Sequence, residues 1–416
     1  MNKHYSRIAT LGLIIFYSTC GFMAPASAQD QNDKPSTVRR EIGKPLQAAL
    51  VLLKSEKAKA ALAKIAEADA VKDKTPFETY MVGRLRAQSE AVAGDAAAAA
   101  HDFEVIADFS GTPSAERMQY LDAAVGQYYL AKNYAKAAET ASRYLKSGGS
   151  DKTAKTVYVQ SLYLTRDFKH AAEELLAYIK EEESSGQIPE ESQLQMLAYC
   201  YQKMDDKAAY SQALEKLVSY YPKHDYWMSL IYNATTQPGF PNRLSLDADR
   251  LKLATKTMNG ADDYVEAVQL ALQAGFPLEA KELVDAGYTA GVLGTGPDSA
   301  RHKRLKDMTM KELADDNKSQ GQNDSQIGDT ASGFALLNTG FNFVLHGKND
   351  RGLNMMEKAL QHSNLKHLDD AQLLFGYALY LSHKSQRAIQ VFKGLHGNDS
   401  DAVLARLWVL HLSQRS

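Results

Sequence analysis

The sequence predicts an all-α protein, a solenoid of about ten stacked helix pairs. Three observations predict it. Apolar residues recur at helical spacing along nearly the whole chain, short polar turns recur at a repeat-like interval, and a small residue follows each turn. The composition allows such an array: 416 residues, 44% hydrophobic, 24% charged, with 11 prolines and a formal net charge of −2. That apolar content excludes wholesale disorder, and two cysteines exclude a disulfide scaffold. Lys and Arg are dispersed and nearly balanced by acids, so no counterion-releasing surface for nucleic acid is expected.

The first element is an address. Lys3 and Arg7 precede a largely apolar run from Ile8 to Met23, and Ala26-Ser27-Ala28 supplies the small residues that signal peptidase accepts. Residues 1–28 therefore read as a cleavable secretory signal, with the mature chain starting at Gln29 and located in the periplasm. The apolar run is shorter than the roughly 20 residues that span a bilayer, and no other stretch is long enough, so no integral span is expected after cleavage. Acylation of Cys20 is disfavoured, because Tyr17-Ser18-Thr19 lacks the aliphatic residue such a signal carries three places upstream. Cleavage leaves Cys200 as the single thiol, between Tyr199 and Tyr201 in an apolar helical pattern that makes it a small buried hydrophobe.

Residues 29–40 are polar and are expected to be disordered. From Glu41 the helix pairs begin. The pattern is plainest between Glu191 and Tyr221, where Leu194, Leu197, Ala198 and Tyr201 form one apolar stripe and Ala213, Leu214, Leu217 and Val218 another. Asp205-Asp206-Lys207 turns between them, and Pro222 ends the second helix. Equivalent turns lie at Ser55–Lys57, Gly94-Asp95, Lys132–Tyr134, Arg166–Phe168, Gly275–Pro277, Gly347–Asn349 and His383–Ser385. The small residues after them are Ala60, Ala99, Ala137, Ala171, Ala280, Gly352 and Ala388, with Tyr210 in that place in one unit. Their spacings are 39, 38, 34, 39, 70, 72 and 36. The two long intervals are near double the rest, which predicts degenerate units near 226–258 and 298–330.

Two segments break the rhythm. Residues 233–245, with Pro238, Gly239 and Pro241, predict a loop between an N-terminal superhelix over 41–232 and a C-terminal one over 246–416. Residues 315–332 are the most hydrophilic interior stretch and predict a flexible insertion. The last apolar segment, Ala402 to Leu412, predicts a helix that caps the exposed core face of the final pair.

The units resemble tetratricopeptide repeats in Gly340 and Phe343 of one first helix, Gly376 of another, the Ala-x3-Phe pairs at Ala99–Phe103 and Ala388–Phe392, and the closing Pro222. The full consensus is missing from every unit, as is tryptophan from its usual first-helix place. The resemblance implies a right-handed α-solenoid whose first helices line a concave, partner-binding wall. Counting back from the small residues places Gln88, Tyr129, Gln160, Tyr163, Gln195, Tyr199, Gln202 and Gln269 on that wall. Tyrosine offers rigid apolar area with a polar tip, and an amide both donates and accepts, so the set suits an extended peptide. The competing reading is that these tyrosines fill gaps between helices. The Lys and Asn set of a two-carboxylate clamp is missing, which disfavours capture of an acidic chain terminus.

The order of later landmarks is similar to that of periplasmic tetratricopeptide proteins encoded beside TonB energy-transduction systems. They are the Tyr-Pro-x3-Tyr-Trp corner at Tyr221–Trp227, Gly275-Phe276-Pro277, and Ala286-Gly287-Tyr288. That layout implies a role accessory to energised outer-membrane transport.

Chemistry is sparse. His-Glu-x-x-His, Gly-x-Ser-x-Gly, a phosphate loop and paired zinc cysteines are missing, so neither catalytic residue, cofactor nor metal is assigned. His362, His367, Asp369 and Asp370 read as a solvated loop, and Glu181-Glu182-Glu183 as a solvated helix end. The expected function is a non-enzymatic periplasmic scaffold for a protein or peptide of the cell envelope; the alternative is a chaperone or assembly factor for an envelope polymer.

Overall fold

The computed structural model describes residues 37–323, 332–362, 365–397 and 399–414. The expected signal over 1–28 lies outside them, as do 29–36 of the N-terminal segment and 324–331 of the expected insertion. Among the described residues all regular structure is helical: twenty α-helices and one 3-10 turn. Nine pairs follow in order, α1/α2 (Arg40–Lys54, Ala58–Asp69), α3/α4 (Pro76–Ala93, Ala96–Asp108), α5/α6 (Ser114–Leu130, Tyr134–Lys146), α7/α8 (Lys152–Leu164, Phe168–Ser184), α9/α10 (Glu191–Lys203, Lys207–Tyr220), α11/α12 (His224–Thr235, Ser245–Thr255), α13/α14 (Ala261–Gln273, Pro277–Thr289), α16/α17 (Gly333–Leu345, Asn349–Leu360) and α18/α19 (Leu368–Leu381, Ser385–Gly394). The single helices are α15 (Ser299–Asn323) and α20 (Ser400–Ser413).

One piece of backbone chemistry closes eight of these pairs. At every polar turn read from the sequence a residue adopts left-handed backbone: Glu56, Gly94, Lys132, Arg166, Asp205, Gly275, Gly347 and His383, with φ between 55° and 82°. The next N–H then reaches back five residues to a helix carbonyl, as from Asn133 to Tyr128 and from Asp167 to Leu162, both at 2.9 Å. This satisfies carbonyls that the helix end would leave unpaired. Asp95, Asn133, Asp167 and Asp206 stand at that next position and accept from an N–H of the following helix, at 3.2, 3.3, 3.3 and 3.0 Å.

Five residues past the left-handed position the chain meets its partner helix. Ala99, Ala137, Ala171, Ala280 and Ala388 there have no exposed surface. In the first pair the residue is Ala61, also fully buried, and not Ala60, which is exposed; counting from Glu56 instead of from the whole turn sets this register. Between α16 and α17 the approach needs glycine on both sides: a Cβ on Gly340 would lie 2.7 Å from the carbonyl oxygen of Gly352.

The helices form two compact units that divide between Tyr178 and Ile179, inside α8. In the first unit each helix packs on its sequence neighbours, α1 on α2, α2 on α3, and so on to α7. In the second, α20 does more than cap α18 and α19: it returns to pack on α10, α11 and α12. Trp408 stacks on Phe392 with ring centroids 5.8 Å apart, and His411 stands edge-on to Trp227 at 5.9 Å. Gln414 donates to the carbonyl of Val218 at 2.8 Å. Trp227, the end of the Tyr-Pro-x3-Tyr-Trp corner, thus meets the C-terminal helix.

Three expectations need correction. The unit near 298–330 is one 25-residue helix among the described residues, and α15 carries helical backbone into the segment expected to be flexible, as far as Asn323. The 233–245 loop is shorter: α11 reaches Thr235, Asn242–Leu244 form the 3-10 turn, and Ser245 already starts α12. The Glu181–Glu183 run ends α8 with Glu181 exposed, but Glu183 is tied down: it accepts from Tyr220 at 2.9 Å and pairs with Lys216 of α10.

Candidate functional site

The sequence-derived wall falls on first helices throughout. Gln88 is half-buried on α3, Tyr129 on α5, and Gln160 and Tyr163 on α7, all in the first unit. In the second unit Tyr199 is half-buried and Gln195 and Gln202 are exposed on α9, while Gln269 is exposed on α13. The Tyr129 hydroxyl donates to Oε1 of Gln160 at 2.9 Å, joining α5 to α7. Gln195 makes the same kind of link to the Tyr226 hydroxyl, joining α9 to α11, and in both links the partners are 31 residues apart. These tyrosines and amides therefore form rungs between successive first helices. A third rung went unread in the sequence: Tyr80 of α3 and Tyr120 of α5 share a 2.8 Å hydroxyl contact, and Tyr120 donates to Glu116 at 2.6 Å. Its signal was two tyrosines 40 residues apart, one repeat length.

One repeat position carries an apolar residue in three successive first helices, a row in the sense of the repeat. The residue two places before the left-handed turn is Val92 in α3, Leu130 in α5 and Leu164 in α7, and these are 42%, 45% and 44% exposed. A core-seeking aliphatic at one repeat position, left about half in water in three successive pairs, is a surface that folding does not require. The tyrosines next to Leu130 and Leu164 in sequence are themselves packed. Tyr129 packs edge-on to Tyr134 at 5.5 Å, and Tyr163 edge-on to Phe168 at 6.0 Å, each across the turn of its own pair.

A separate open cleft of about 520 Å³ lies in the second unit, and it takes in Gln202. Tyr201 at the end of α9, Tyr210 at the start of α10 and Tyr232 on α11 give it three aromatic walls. Tyr232 is 68% exposed, and Asn233 and Asn259 add two further amides.

Several titratable groups elsewhere are bound into the fold. Arg250 of α12 is buried, donating to both oxygens of Glu279 at 2.7 and 2.8 Å and to Asp247 at 2.7 Å. Its guanidinium also lies 5.0 Å from the ring centroids of both Phe341 and Tyr377. Arg243 donates to Asp370 at 2.7 Å and Asp401 at 3.1 Å. Asp370 thus sits in the first turn of α18 holding a cation, not in a solvated loop with His362 and His367. Cys200 is fully buried, and burial pushes its thiol up to about 11, away from the reactive thiolate. Among the described residues, no group of three or more His, Cys, Asp or Glu is placed to hold a metal ion. No described helix is long and apolar enough to cross a membrane.

No family model matches the chain, and no curated protein matches it. Among solved structures it is similar to one of Naa15/Naa10 bound to HypK-THB, at 15% identity and a TM-score of 0.32, covering 85% of this chain and 58% of that chain. It is also similar to the crystal structure of the yeast Tom70, at 10% identity and a TM-score of 0.25, covering 90% of this chain and 96% of that one. At those scores the likenesses carry no functional argument.

Proposed function

We infer that the chain is a non-enzymatic scaffold that holds an extended protein segment against the first-helix row of its N-terminal unit. The carrying observation is the repetition of a half-exposed aliphatic at Val92, Leu130 and Leu164, beside Tyr129 and Tyr163. Packed helices stand about 8–10 Å apart, and a segment in polyproline II conformation rises about 3.1 Å per residue with three residues per turn, so every third side chain shares a face. A peptide crossing the row would therefore offer one apolar side chain about every third residue, while the Tyr129–Gln160 rung offers polar atoms to its backbone.

Selection of displayed peptides on the purified chain tests this. Binders should carry that period and lose about tenfold or more in affinity for the double variant Leu130→Ser, Leu164→Ser, whose exposed sites leave folding intact. Binders without the period, or with unchanged affinity for the variant, overturn it.

The place of action proposed is the cell envelope, reached through the N-terminal signal, with an accessory role in TonB-dependent outer-membrane transport. The signal pattern and the Tyr221–Trp227 corner support it. A second reading, an assembly factor for an envelope polymer, is favoured by the tyrosine- and amide-lined cleft of the second unit.

A further inference from the structure

The cleft of the second unit has a lining that narrows its ligand. Its volume of about 520 Å³ is in the range of small-ligand clefts. Asp205, Asp206 and Lys207 at its edge leave one excess negative charge, which disfavours an anionic ligand. Met228 is its one aliphatic wall residue, so its apolar surface is mainly the faces of tyrosine rings. What dominates is aromatic face and hydrogen-bonding side chain together.

Several polar groups there are already committed. Ser229 donates to the carbonyl of Asp225 at 2.8 Å, Asp206 caps α10, and the Asn233 amide oxygen accepts from Gln237 at 3.2 Å. The side chains of Gln202, Asp205 and Asn259 have no partner among the described residues. They come from α9, from the turn after it and from the α12–α13 connection, three separate segments converging on one cleft with the exposed Tyr232 ring. A carboxylate accepts twice and an amide both donates and accepts, which matches neighbouring hydroxyls on a ring. A tyrosine face matches the apolar C–H face of that ring.

We propose that this cleft binds a neutral oligosaccharide, with Tyr232 stacking on a sugar ring and Gln202, Asp205 and Asn259 hydrogen-bonding adjacent hydroxyls. This deepens the polymer reading and rests on it only for the ligand's presence in the envelope. The row at Leu130 and Leu164 has no part in it.

Titration calorimetry of the full chain tests it with neutral tetrasaccharides of β-1,4-glucose, α-1,4-glucose, β-1,4-xylose and β-1,4-mannose, and with an oligogalacturonate as the acidic control. At least one neutral tetrasaccharide should bind at millimolar concentration or below. Tyr232→Ala should weaken it about tenfold, the scale of a lost ring contact, while Tyr232→Phe keeps most of the affinity. Gln202→Ala should weaken binding too, and the Leu130→Ser, Leu164→Ser variant should leave it unchanged. Failure of all four neutral sugars, tighter binding of oligogalacturonate, or an unchanged affinity in Tyr232→Ala overturns the assignment. Peptide affinity unchanged by the Leu130→Ser, Leu164→Ser variant, with sugar binding intact, would refute the scaffold reading alone.

Discussion

Arg250 shows how a residue that composition places at the surface becomes the centre of a core. One guanidinium faces two carboxylates and three aromatic rings, Phe276, Phe341 and Tyr377, in a space closed to water. Breaking a buried pair leaves a buried charge unmatched, so Arg250→Met should cost about 3–5 kcal/mol in denaturant unfolding, far more than a change at an exposed arginine. The cluster is not legible in the sequence, because Asp247, Asp249 and Arg250 look like a solvated helix face until α14, α16 and α18 bring Glu279, Phe341 and Tyr377 against Arg250. Asp401 is a second such case. Burial, then its hydrogen bond with Asp370, raises it from 3.8 to about 6, against the opposing pull of Arg243. A raised carboxyl contributes stability that is fully present below the unfolded value near 3.8 and is lost as pH rises through about 6. The melting temperature should therefore fall between pH 5 and pH 7, and Asp401→Asn should flatten that part of the profile.

At the scale of elements, the turns were legible and the closure was not. The turns announce themselves locally: in four of the eight an Asp or Asn after the left-handed residue caps the next helix, and in six an alanine five residues past the left-handed residue lets the pair close. Such signals need no long-range information. The return of α20 to α10, α11 and α12 joins residues nearly 200 positions apart, as in the 2.8 Å bond from Gln414 to Val218, and no local pattern encodes it. A capping helix touches one pair; this one also binds the start of its unit. Trp408→Ala, which removes a fully buried ring stacked on Phe392, should cost about 3–5 kcal/mol. Hydrogen exchange should show the loss of protection in α10–α12 as well as in α18–α19. Loss confined to α18–α19 would reduce α20 to a cap.

Across the whole molecule, the two units differ in how packing is organised. The first is a run of nearest-neighbour interfaces, whose exposed repeat positions stay free to form the Val92, Leu130 and Leu164 row. The second is tied end to end by α20 and holds the cleft. All eight wall residues read from the sequence sit on first helices, because the repeat period fixes helix identity. The half-exposed leucines beside Tyr129 and Tyr163 went unread, because an apolar residue in a helix reads as core until its burial is known. Photo-crosslinking tests most directly whether that row is where this protein meets its partner. A benzophenone side chain is placed in turn at positions 130, 164 and, as a control away from the row, 180, and the captured peptide is sequenced. Crosslinks from 130 and 164 should fall on one segment about three residues apart for each repeat crossed, with none from 180. Equal capture at all three positions, or different segments at 130 and 164, would contradict it.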